Sequence, residues 1–162
     1  MHKPTYLLLY LLLIGMGTGC TEPDEKNYDQ AILGVWYQSS PFPDDANRSY
    51  RNEYHFKNDG TFEYSLGVID SGGNEPMELG YMSWHKGSFQ VVESTLLLQE
   101  VEYYGLDNQN EILPKEQLIL HNSGHDTETF ISFNKKWDKL TMEKACPEDA
   151  ICAGAQTYYK EN

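Results

Sequence analysis

Basic residues are scarce. Twelve Lys and Arg stand against 25 Asp and Glu, a formal charge of −13 over 162 residues. Binding a phosphate backbone needs a basic face, so the balance argues against nucleic acid as a partner. It argues equally against electrostatic docking onto anionic lipid. Cysteine is nearly absent, with three residues in the chain, too few for a disulfide-built scaffold. No apolar run reaches the roughly 20 residues of a membrane-crossing helix. Helical periodicity is missing too, apart from a brief stretch over Asp29 to Leu33. There is no Gly-x-Ser-x-Gly elbow, no phosphate-binding glycine loop and no His-Glu-x-x-His, so nothing marks an enzyme. What is present is 40% hydrophobic residues and 13% aromatics, too apolar for a disordered acidic chain. The length suits one domain.

The N-terminus differs from the rest. Residues 6 to 16 form an uninterrupted apolar run behind His2 and Lys3. That is the charge and length pattern of a signal-peptide core. Small residues Gly17, Thr18 and Gly19 then lead to Cys20. The arrangement resembles the lipobox of bacterial lipoproteins, which implies cleavage after residue 19 and lipidation of Cys20. Residues 20–30, polar and without periodicity, read as a tether, and 31–162 as the folded domain. The resemblance places the protein in the bacterial cell envelope, at the outer membrane, attached through its lipid. Cys146 and Cys152 remain as an even pair, and in an exported chain they are expected to form a disulfide. Closing so short a loop stabilises a fold by roughly 2 kcal/mol in the chain-entropy model.

Along the rest of the chain, alternating runs are broken by turn residues every 8 to 12 positions, as in an antiparallel sandwich or barrel. Tyr50, Asn52, Tyr54 and Phe56 share one strand face, and Arg51, Glu53, His55 and Lys57 the other. Asn58-Asp59-Gly60 supplies turn residues that tolerate positive φ, and Phe62, Tyr64 and Leu66 then alternate again. Further strands are expected at Leu33–Ser39, Leu79–His85, Phe89–Val92, Thr95–Tyr104, Gln117–His121, Thr127–Phe133, Lys139–Ala145 and Ala155–Lys160. Pro41, Pro43, Pro76, Pro114 and Pro147 all fall between these runs. The pattern predicts an all-β, antiparallel up-and-down barrel of about eight or nine strands, closed so that no edge is left exposed.

Leu33-Gly34-Val35-Trp36 matches the Gly-x-Trp element of lipocalin-like proteins, and Phe56 to Phe62 matches the Phe-x-x-Asp-Gly-Thr-Phe hairpin of bacterial lipocalin-like lipoproteins. Ile131-Ser132-Phe133 followed by Lys139-Leu140-Thr141-Met142 resembles their penultimate hairpin. The resemblance runs over most of residues 31 to 160 and implies a calycin-type barrel. Gly34 and Trp36 are then its floor: a Gly lets the first strand bend inward, and a Trp closes one end. The lipocalin floor stacks a late Arg on that Trp. No Arg follows Arg51 here, so a lysine such as Lys144 or Lys160 takes the position.

An eight-stranded barrel is either just filled by side chains or holds one small ligand. Tyr54, Phe56, Phe62, Tyr64, Trp84, Tyr103, Phe130 and Phe133 are the inward, ligand-binding candidates. His121 and His125 flank a turn, where solvated histidines are the rule, so no metal and no cofactor is assigned. Asp107 to Glu111 has oxygen ligands at alternate positions but lacks the central Gly of a calcium loop. Two functions fit: a monomeric, non-enzymatic barrel binding a small hydrophobic or amphipathic ligand, or a filled barrel whose acidic face binds a protein or glycan partner.

Overall fold

The computed structural model describes residues 27–107, 111–121, 124–144 and 154–161. The signal, Cys20 and most of the tether lie outside the described residues, as do Cys146 and Cys152. One short helix, α1 (Tyr28–Ala31), precedes nine strands: β1 Gly34–Phe42, β2 Asp45–Phe56, β3 Thr61–Asp70, β4 Met77–Val92, β5 Thr95–Gly105, β6 Ile119–His121, β7 Asp126–Phe133, β8 Lys139–Lys144 and β9 Gln156–Lys160. All pairings are antiparallel. β1 pairs with both β2 and β9, and β4 with both β3 and β5, so eight strands close into a barrel. β6 is an additional strand along the far end of β5. The all-β barrel expected from alternation is the fold observed.

The hairpins β2–β3, β4–β5 and β7–β8 turn at one end, beneath α1. There Ile32 and Trp36 have no accessible surface, and Phe56, Leu96 and Leu140 are buried beside them. Asn27 caps α1, its side chain accepting from Gln30 N at 3.2 Å. The chain then turns into β1 at Gly34, whose φ of +110° strains any other residue. Aromatic pairs at 5.5–5.6 Å join Trp36 and Tyr28 to Phe133 and finish the plug.

Three expectations are corrected. β4 runs unbroken through Gly87, where two strands were expected. Gly87 marks a bulge in the β4–β5 register, and a Cβ there would lie 1.9 Å from the Gln99 carbonyl oxygen. β2 begins at Asp45, well before Tyr50, and continues the hairpin from β1. Pro41 lies within β1 instead of between strands. Among the described residues β9 pairs with Trp36 and Tyr37 and not with the Pro41 end of β1, and proline is tolerated where a strand is unpaired on one side.

Candidate functional site

Away from the plug the barrel interior opens into a cavity of about 350 Å³. Its deep wall is Phe62, Leu98, Thr129, Met142 and Tyr158. Toward the mouth come Asn52, Tyr54, Tyr64, His85, Glu100, His125, Thr127, Lys144 and Gln156. Strand alternation puts these together: Tyr54 pairs with Tyr64 across β2–β3, and Tyr64 with His85 across β3–β4.

The polar atoms are paired in a regular way. Tyr64 donates to Asn52 Oδ1 at 2.7 Å, and Tyr158 donates to Gln156 Oε1 at 2.9 Å. Each bond leaves an amide NH2 free to donate. His85 Nδ1 is hydrogen-bonded to Glu100, and Tyr64 stands edge-on to the imidazole at 5.1 Å. Burial pushes the Tyr64 phenol up to about 12. Burial, and then the Tyr64 oxygen, raises Tyr158 further. These phenols therefore remain neutral donors across the physiological range.

The candidate residues do not all meet there. Tyr54, Phe62 and Tyr64 line the cavity. Phe56 stacks parallel to Tyr54 at 5.5 Å and belongs to the packed layer beneath it. Phe133 sits in the plug against Trp36, and Tyr103 shares the inward face of its partner His85 but packs between His85 and His121, outside the cavity lining. Trp84 and Phe130 are corrections. Trp84 pairs with Ser65, so it takes the outer face, adjacent to inward His85. Its indole donates to Glu63 Oε2 at 3.2 Å, with Lys115 Nζ 3.9 Å above the ring. Phe130 lies between buried Thr129 and Ile131 and is 48% exposed. Residues three apart on a strand face opposite ways, so Phe130 and Phe133 cannot both point inward.

At the floor, Trp36 Nε1 donates to the Ile32 carbonyl at 2.6 Å, and Lys160 Nζ lies 5.1 Å from the Trp36 ring. Of the two lysines considered for that position, Lys160 occupies it and Lys144 lines the cavity instead. The sequence reading missed the polar half of the site: Asn52, His85, Glu100, His125 and Gln156. Asn52 was legible, because it shares a strand face with Tyr54. Glu100 was not, because the bulge at Gly87 leaves Val101 without a partner and turns Glu100 and Tyr103 to the same side. Among the described residues, no cluster of three His, Cys, Asp or Glu side chains could hold a metal ion. No family model matches the chain, and no curated protein matches it in sequence.

Proposed function

We propose that this is a binding protein rather than an enzyme: a lipocalin-like barrel of the bacterial envelope, anchored by lipid on Cys20, that takes a small amphipathic ligand. The observation that carries the reading is the cavity, which sits inside a closed barrel, apolar at depth and polar toward its mouth. Sites of this kind orient a ligand by a few polar groups and hold it by apolar contact. At about 350 Å³ the space suits one or two rings or a short chain, not a whole long acyl chain. The described chain enters the barrel at its closed end, opposite the cavity mouth.

The test is uptake of N-phenylnaphthylamine by the full chain held in nanodiscs, with uptake by empty nanodiscs subtracted. A saturable fluorescence rise, displaced by envelope lipid extract, is the expected result. No uptake by folded protein would sink the cavity reading and favour the rival, a barrel that recognises a protein or glycan on its outer face. Intact mass spectrometry of protein taken gently from its native membrane checks the anchor separately, because an unmodified Cys20 removes it.

A further inference from the structure

We propose that the Tyr54 hydroxyl selects the ligand, and that the ligand is a ring-sized, uncharged molecule bearing a carbonyl-type hydrogen-bond acceptor, which enters acceptor first. The inference rests on the cavity reading above and specifies its chemistry. Of the three cavity tyrosines, two are committed: Tyr64 donates to Asn52 and Tyr158 to Gln156. Tyr54 has no hydrogen-bond partner among the described residues, although rings pack around it: Phe56 at 5.5 Å, Tyr64 at 4.7 Å and Tyr158 at 5.4 Å. Tyr54 is half-buried at the cavity wall, and a hydroxyl there without a protein partner is satisfied by whatever fills the cavity, water or a ligand. A ligand that displaces the water must replace that hydrogen bond or lose affinity.

Tyr54 lines the cavity together with Tyr64, Tyr158 and Glu100. Burial, followed by the charges of Tyr158, Tyr64 and Glu100, pushes its phenol well above the ordinary tyrosine range, so it stays protonated. A protonated phenol donates, and the group that receives it is an acceptor. Glu100 acts on the Tyr54 phenol, whereas His125 and Lys144 line the cavity elsewhere, so a ligand carboxylate placed at Tyr54 would meet like charge in a partly desolvated site. A neutral carbonyl meets the donor without that repulsion. The surrounding rings accept a flat aromatic body by offset or edge contact.

The experiment compares two naphthalene probes of similar size on the full chain in nanodiscs, wild type and Tyr54→Phe. Prodan carries a ketone, and N-phenylnaphthylamine carries no comparable acceptor. Tyr54→Phe removes one oxygen and keeps the ring, and partition into lipid is common to both proteins, so it cancels in the ratio. Prodan affinity is expected to fall about fivefold to tenfold in the variant, the weight of one buried hydrogen bond. N-phenylnaphthylamine affinity should stay within about twofold, which also reports that the variant is folded. Bound prodan should emit further to the blue in the variant, because its carbonyl loses a donor. An unchanged ratio of the two affinities, or a parallel loss of both probes, overturns the role of Tyr54 and leaves the cavity standing. Failure of wild-type protein to take up either probe overturns the cavity reading itself, and this inference with it.

Discussion

At the closed end of the barrel, Trp36, Tyr28 and Phe133 meet ring to ring, and Trp36 keeps no accessible surface. At the open end Tyr54, Tyr64 and Tyr158 meet at comparable spacings around a cavity of about 350 Å³. Aromatic content is therefore not what separates a plug from a pocket. The polar handles are. Trp36 satisfies its one donor internally, on the Ile32 carbonyl. Of the cavity tyrosines, Tyr64 and Tyr158 bond to side-chain amides, Tyr54 has no partner among the described residues, and a His–Glu pair stands beside them. One arrangement excludes water and the other offers it, or a ligand, specific partners.

The comparison can be broken most directly at the floor. Trp36→Ala should cost about 3–5 kcal/mol, the range for deleting a fully buried large aromatic. Tyr64→Phe, which removes a hydroxyl facing the cavity, should cost less than about 1.5 kcal/mol. Urea denaturation of both variants measures the difference. Equal losses would mean that the cavity wall bears as much of the fold as the plug, and the division drawn here would fail.

A second test addresses the point where the halves join. At Gly87 a new Cβ would sit 1.9 Å from Gln99 O and 2.9 Å from Phe62 Cε1. Gly87→Ala must displace β5, at a cost of roughly 1–3 kcal/mol typical of overpacking. Because the adjoining bulge also sets which β5 residues face inward, the variant should lose probe uptake beyond its loss of stability. A variant that keeps both would show that the close approach at Gly87 is dispensable.

That junction also explains how far the sequence could be read. Regular alternation from Tyr50 to Leu66 makes the β2–β3 hairpin and the inward faces of Tyr54, Phe56, Phe62 and Tyr64 legible in the sequence alone. The floor was legible for a similar reason: a strained Gly beside a Trp has few other uses. Beyond Leu66 the strand period is interrupted by register shifts near Gly67, Ile69 and Gly87. Each added residue reverses which side chains face inward, and local pattern carries no mark of it. That is why Trp84, a large aromatic, was placed inside and Glu100, a charge, was not. Phe130 is a different case, since its spacing of three from Phe133 already excluded a shared face.

The smallest expected effect concerns the outer wall of the barrel, from the β2–β3 turn toward β4, where charge does what rings do at the floor. The segment from Leu113 to Lys115 lies along β4, with Tyr81 N donating to Leu113 O at 2.8 Å. Lys115 reaches Glu63 at 3.2 Å, and Lys57 holds the same carboxylate. Partial burial pushes the Glu63 carboxyl up, but the hydrogen bonds from Lys57 and Lys115, with their charges, outweigh it and hold Glu63 down at about 2. A carboxyl lowered on folding contributes stability that is fully present above its unfolded value near 4.5 and is lost as pH falls toward 2. Because the group is partly solvated, that contribution is on the order of 1 kcal/mol. The described closed-end core is built from hydrophobic side chains, and the lowered carboxyl nearest it, Asp59, is fully exposed in the β2–β3 turn, so acid has a weaker handle there. Hydrogen exchange between pH 4.5 and 2, corrected for intrinsic rates, should therefore loosen the Tyr81 amide while the Trp36 amide stays protected. In Glu63→Gln that selective loosening should be reduced to whatever Glu78, bonded to the Tyr81 hydroxyl, contributes, because position 63 then has no proton to take up. If Trp36 instead opens in step with Tyr81, the two halves unfold as one unit and the acid tie does not act locally.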